Sequence, residues 1–175
     1  MSPEAAEVEQ VPEAWVDAAR EVLLETAQHY HRVVTTKELA AEVQERSDIA
    51  ATQRSHMWIG DVLALVAEDC AERGEPNLSA LCVNAEGGVV GGYAATVADA
   101  APEDPDGHAA IERLACYAHF EAPNLPADGG VAILTPKLSA SRSRARKATL
   151  AARPVESCPR CYMVMPAEGP CNNCE

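Results

Sequence analysis

The stretch Thr35-Thr36-Lys37-Glu38-Leu39-Ala40-Ala41-Glu42-Val43-Gln44-Glu45-Arg46-Ser47-Asp48 opens on a helix-start signal and closes on a breaker. The Thr35 hydroxyl can accept from the Glu38 amide while the Glu38 carboxylate reaches back, a capping box that predicts a short helix from Lys37 to about Arg46. Upstream, Pro12 sits where a first helical turn tolerates proline. From Glu13 on, Trp15, Ala19, Val22, Leu23 and Ala27 recur at steps of three and four, an amphipathic helix running to about His31. Downstream, a third helix begins near Ser55, carries Met57, Trp58, Ile59, Val62, Leu63, Leu65 and Val66, and stops at Gly74 with Pro76 just beyond. Residues 78–83 read as a strand, 84–88 as a turn and 89–93 as its return. Helix, short helix, longer helix and hairpin is the order of a winged helix. The expected fold class is therefore α+β, mainly helical, with a winged-helix-like domain.

Beyond it, a loop rich in Pro and Asp (101–107) leads into a fourth helix over 108–120, with Asp106 as its cap and Ile111, Leu114, Ala115 and Ala118 as its apolar face. Pro123, Pro126 and Gly129-Gly130 punctuate the next stretch. Val131-Ala132-Ile133-Leu134 reads as a short strand, and 136–152 as a helix or a connector. The chain thus divides into a mobile acidic N-terminus (1–11), the winged-helix-like domain (12–122), a Pro/Gly-rich then basic connector (123–153) and a small C-terminal module (154–175).

That module holds the strongest chemical signal. Cys158-Pro159-Arg160-Cys161 and Cys171-Asn172-Asn173-Cys174 are two CxxC pairs separated by nine residues, the spacing that lets four thiolates close on one zinc ion as a minimal ribbon or knuckle. Four cysteine ligands leave no open coordination position, so the zinc ion would be structural and not catalytic. A pair of disulfides and a redox CxxC are the alternatives, and the strand–helix context of a thioredoxin-like redox motif is missing. Cys70, Cys82 and Cys116 lie singly in apolar surroundings and read as small buried hydrophobes in a reducing compartment. With no charged leader before an apolar run and no stretch of bilayer-spanning length, the expected location is cytoplasmic, with no membrane partner.

The formal net charge is -13, but residues 1–136 carry 7 basic and 24 acidic side chains, whereas 137–153 carry Lys137, Arg142, Arg144, Arg146, Lys147 and Arg153 with no acid. A basic stripe beside an acidic body signals a partner; its plainer reading is a solvated segment that offsets its own domain. If the third helix faces a groove, Arg54, Ser55 and His56 at its start could touch phosphate through side chains and helix-start amides; the plainer reading is a polar helix cap.

Two stretches resemble the DNA-binding domain of the alkylguanine-DNA alkyltransferases and alkyltransferase-like proteins. Thr35-Thr36-Lys37-Glu38-Leu39-Ala40 is similar to that family's helix start, Ile59-Gly60-Asp61-Val62-Leu63 to its Val-Gly-x-Ala-Leu helix, and Asn84 through Gly91-Gly92-Tyr93-Ala94 to the segment ending Leu-Gly-Gly-Tyr-Ala. The resemblance covers roughly residues 33–95. It implies a fold related to a DNA-binding module. Counting back from Gly91-Gly92-Tyr93 without gaps, the nucleophilic cysteine falls on Ala80, the following His-Arg on Leu81-Cys82 and the base-supporting arginine on Met57. The resemblance therefore implies no alkyl transfer.

His29 and His31, two apart on a helix, point away from each other and do not share a metal. Asp61, Glu68, Asp69 and Glu72 read as a solvated helix face, and no nucleophile–base order, phosphate loop or nuclease-like acid cluster stands out. With Phe120 as the single phenylalanine, no aromatics interleave with the basic residues for single-strand stacking. The expected protein is non-enzymatic, binds zinc and associates with DNA or a nucleoprotein complex. The alternative is an acidic adaptor that binds a protein partner without touching nucleic acid.

Overall fold

The computed structural model describes residues 11–97, 103–152, 157–165, 171, 173 and 174. Two compact units divide between Leu138 and Ser139. The expected mobile segment 1–11 lies outside the described residues except for Val11, which packs against the core.

In the first unit, α1 (Glu13–Ala27) enters from Pro12, whose carbonyl accepts from the Trp15 amide at 2.9 Å. Its expected apolar stripe is buried, and Trp15 stacks on Trp58 with ring centroids 4.3 Å apart. The helix ends at Ala27, four residues earlier than the spacing predicts, because the chain turns through 28–31 and His31 takes the left-handed conformation (φ 69°). After β1 (Val34–Thr35), the capping box forms as the sequence predicts. The Glu38 amide donates to the Thr35 hydroxyl at 3.3 Å, the Thr35 amide donates to the Glu38 carboxylate at 2.9 Å, and α2 (Thr36–Ser47) follows. Arg46 near its end clasps the Glu25 carboxylate with both terminal nitrogens (2.7 and 2.8 Å), tying α2 to α1.

Helix α3 (Ser55–Arg73) also has the expected bounds, with Gly74 supplying the left-handed C-cap. Trp58, Ile59, Val62, Leu63 and Val66 are buried in a core shared with Leu23, Leu39 and Val43; Met57 is exposed.

The expected hairpin over 78–93 gives way to other elements. Residues Leu78–Leu81 form a 3-10 turn, because the Asn77 side chain accepts from the Ser79 amide at 3.0 Å and starts a helical turn in place of a strand. Only Cys82–Val83 is a strand, β2, and it pairs in parallel with β1 in the register Val34↔Cys82 and Thr35↔Val83. Residues 84–88 do turn. The Asn84 side-chain oxygen accepts from the amides of Glu86 (2.9 Å) and Gly88 (3.0 Å), while Gly87 takes the left-handed conformation (φ 82°). The return strand shrinks to one antiparallel bridge, Val83↔Val89, before the chain coils into α4 (Gly91–Thr96).

Helix α4 lies close against α3. A Cβ on Gly92 would sit 2.7 Å from the Gly60 carbonyl oxygen and 3.2 Å from its Cα, so the two backbones meet where only glycine fits. Tyr93, one residue on, is fully buried and shares a 2.7 Å hydrogen bond with His108 Nδ1.

Helix α5 (Pro105–His119) is capped by Asp104, which accepts from the Gly107 amide at 3.2 Å. Asp106, the expected cap, accepts instead from the Val89 amide at 2.9 Å and holds the 84–89 turn. The buried face of α5 is also not the expected one. Ala109, Ala110, Arg113, Cys116 and Tyr117 are inside, whereas Ile111 is 62% exposed. The two small alanines let α5 dock closely, and the Tyr117 hydroxyl reaches the Arg32 carbonyl at 2.7 Å, so this face fits the neighbouring backbone better than the Ile111 face. Residues 131–134 form no strand. The Val131 amide donates to the Tyr30 hydroxyl at 2.8 Å, a side-chain partner in place of a ladder. Of the two readings left open for 136–152, the helix is observed: α6 (Pro136–Ala151). No described helix is long and apolar enough to cross a membrane.

Candidate metal centre

In the second unit, Cys158, Cys161, Cys171 and Cys174 bring their four sulfurs within 4.8 Å of one another. Cys158 Sγ stands 3.8 Å from Cys174 Sγ, and Cys161 Sγ 3.5 Å from Cys171 Sγ. A tetrahedron of sulfurs about 2.3 Å from a central ion has edges of about 3.8 Å. A disulfide needs about 2.05 Å, and all four cysteines are free. The four thiols could hold one metal ion, and the spacing fits.

The first pair is shaped by its backbone. The Cys158 amide donates to the Met163 carbonyl and the Tyr162 amide to the Cys158 carbonyl, both at 2.8 Å, while Ser157 bridges Val164 in antiparallel fashion. This closes a tight turn around Pro159-Arg160, and Tyr162 takes a left-handed conformation (φ 58°) to complete it. The Arg160 amide then points at the Cys158 sulfur, 3.4 Å away. The second pair closes with the Cys174 amide donating to the Cys171 carbonyl at 3.2 Å. Cys158 and Cys171 are buried, and Cys161 and Cys174 are partly so. Between the two pairs, residues 162–170 read from the sequence as a short strand and a tight return; 166–170 lie outside the described residues.

The electrostatics favour a cation. The Arg160 and Cys161 amides hold the Cys158 thiol below its ordinary value, and the Met163 amide with the Cys174 side chain brings Cys161 down to about 6. Cys174, facing the Cys161 sulfur, is pushed up to about 12. For Cys171 the Asn173 amide pulls down, but the Cys161 sulfur and burial outweigh it and the net direction is upward. Four thiolates this close repel one another, and a central cation removes that repulsion.

Compared with protein-family models, curated proteins and solved structures, the chain matches none.

The remaining expected site residues lie on different elements. Arg54 precedes α3 as its N-cap residue without a side-chain capping bond, and both Arg54 and His56 are exposed. In α6, Arg142, Arg144, Arg146 and Lys147 are exposed, and the helix buries no residue. Lys137 differs: its ammonium bonds the Ala85 carbonyl and lies 3.9 Å from Glu86. Arg153 lies outside the described residues.

At the positions that the alkyltransferase resemblance singles out, Ala80 is 1% exposed and has no thiol to offer. Cys82 is equally buried, and burial pushes its thiol up to about 12, the opposite of an activated nucleophile. Burial raises the Cys70 and Cys116 thiols as well.

Two features escaped sequence reasoning. Gly60 and Gly92 are 32 residues apart, and their contact could have been suspected only from a glycine inside each of two helical segments. Arg113 is 4% exposed on α5 although arginine is normally a surface residue, and no sequence signal marks it.

Proposed function

We propose that this protein is a non-enzymatic, cytoplasmic zinc protein that grips duplex DNA, alone or in a nucleoprotein complex, through the basic helix preceding its four-cysteine module. The observation that carries this reading is α6: a helix about 24 Å long with several basic side chains, no acid and no buried face. None of its side chains is buried, so α6 is not held by packing on a core and can present its cations to a partner.

At about 100° per residue, Arg142 and Arg146 fall on one flank of α6 and Arg144 and Lys147 on the other. Cations on opposite flanks suit a helix lying in a major groove, where phosphates line both walls. Arg54 and His56, at the exposed start of α3, add a second candidate phosphate contact in what we read as a winged-helix-like body, with the 84–88 turn as a vestigial wing. That body is acidic, which favours contact limited to these basic elements. Zinc is the ion we assign to the cysteines, because an all-thiolate tetrahedral set with no open position suits a structural zinc.

A duplex titration against salt tests the reading. Four phosphate contacts from Arg142, Arg144, Arg146 and Lys147 imply a slope of about -3.6 in log K against log salt. Changing Arg142, Arg144 and Arg146 together to glutamine should flatten it by about 3 and weaken all sequences alike. Absence of duplex binding by the intact protein at low salt retires the reading. The adaptor alternative then takes its place. It is favoured by the exposed Tyr162, Met163 and Val164 on the cysteine turn, which offer a protein partner an apolar contact.

A further inference from the structure

We propose that a cavity beside α5 is a binding site for a small apolar carboxylate, recognised by the guanidinium of Arg113. The cavity, of about 180 Å³, lies within the first unit; its walls include Val33, Leu114, Tyr117, Val131 and Ile133, and Arg113 lines it too.

Arg113 is the unusual member. A guanidinium stays protonated and carries five N–H donors. Here one terminal nitrogen donates to the Ala80 carbonyl at 3.2 Å, and among the described residues no carboxylate stands within ion-pair distance. The nearby acids are engaged elsewhere: Asp106 accepts from the Val89 amide, and Glu112 from the Asn77 amide. Asp106 still attracts the guanidinium, but from beyond ion-pair distance; a buried cation with no carboxylate in direct contact is costly, and most such groups in folded proteins find a direct partner. An incoming carboxylate supplies it, through charge-assisted bonds to donors the protein leaves unmatched.

The walls select the rest of the ligand. Leu114, Val131 and Ile133 present hydrocarbon, and the Thr135 hydroxyl, also at the cavity, is already committed to the Gly87 carbonyl at 2.7 Å. The remaining polar side chains at the cavity are Tyr117, whose hydroxyl is committed to the Arg32 carbonyl at 2.7 Å, and His31, whose ring stacks on Tyr30 at 3.6 Å. One cation in an apolar cavity matches a monoanion with an apolar body; a phosphate dianion needs more donors than this cavity offers. Placing the anion here also accounts for the exposure of Val131 and Ile133, 65% and 47%, as the apolar rim of a binding site.

The test titrates the full chain with benzoate, with benzyl alcohol as its neutral counterpart and with inorganic phosphate as a bare anion, read by saturation-transfer NMR and calorimetry. Benzoate should bind saturably at about millimolar concentration or better, with benzyl alcohol and phosphate each at least about tenfold weaker. Arg113→Met should weaken benzoate by about 10- to 100-fold. Because that change also removes the bond to Ala80, Ile133→Trp is the second variant. It fills the rim without touching Arg113 and should abolish benzoate binding while the circular dichroism and melting temperature stay near those of the parent. No benzoate binding, benzyl alcohol or phosphate binding as well as benzoate, or unchanged affinity in Ile133→Trp would each overturn the proposal. None of these outcomes bears on α6, so this site and the nucleic-acid reading fail independently.

Discussion

Replacing Gly92 by alanine should destabilise the protein, while the same change at Gly60, its contact partner, should not. Both glycines lie within helices, where alanine is favoured over glycine by about 1 kcal/mol. At Gly60 a new Cβ meets nothing within 4 Å, so most of that gain should appear as added stability, about 0.5–1 kcal/mol. At Gly92 the new Cβ falls 2.7 Å from the Gly60 carbonyl oxygen and 3.3 Å from its carbonyl carbon. These are backbone atoms in the middle of α3 and cannot swing aside, so α4 must back away and uncover part of the buried Tyr93. Overpacking of this kind costs about 1–3 kcal/mol, which cancels or outweighs the propensity gain and leaves Gly92→Ala up to about 2 kcal/mol less stable than the parent. The pair is measured by urea unfolding followed by circular dichroism, with an unchanged m-value required so that the midpoints report stability alone. If Gly92→Ala matches or exceeds Gly60→Ala in stability, the close α3–α4 crossing is wrong.

Three further expectations concern separate parts of the chain. Thr35→Ala should cost about 0.5–2 kcal/mol by removing the cap of α2. The Thr35 amide and hydroxyl hold the Glu38 carboxyl below its usual 4.5, so its contribution is full above that value and is lost as the pH falls through the lower folded value; the stability difference between parent and Glu38→Gln should shrink on acidification. Incubation with alkylated duplex should leave the mass of the protein unchanged, since Ala80 carries no thiol and Cys82 is buried with its thiol at about 12; a stoichiometric gain on Cys82 would refute this. Cys171→Ser should abolish the fold of the C-terminal module while the helical dichroism of the first unit persists, because the two are separate compact units; loss of both together would contradict it.

Local chemistry was legible in the sequence wherever it alone decides the structure. The Thr35–Glu38 box, the Gly74 cap and the burial stripe of α1 each depend on residues within a few positions of one another, and each forms as read. The four cysteines belong to the same class, since two CxxC turns carry their geometry with them. Reading failed where a distant partner decides. Residues 78–81 look like a strand by hydrophobicity, but the Asn77 side chain coils them, and β2 pairs with Val34–Thr35, more than forty residues away and parallel. Gly91-Gly92-Tyr93 reads as the end of a return strand until Gly60 is placed opposite it, whereupon Gly92 becomes the reason a helix can pack there. On α5 the periodic apolar residues lost to a face with a buried arginine, because docking depended on the small alanines and on carbonyls that Arg113 and Tyr117 could reach. Asp104 and Asp106 sit two residues apart and exchange roles for the same reason: the Val89 amide claimed Asp106.

A structural zinc ion held by Cys158, Cys161, Cys171 and Cys174 would be read out by the metal content and X-ray absorption spectrum of protein purified without chelator. One zinc per chain is expected, in a shell of four sulfurs at about 2.3 Å. Protein that carries no zinc, or whose zinc shell contains nitrogen or oxygen in place of one of the four sulfurs, would contradict it.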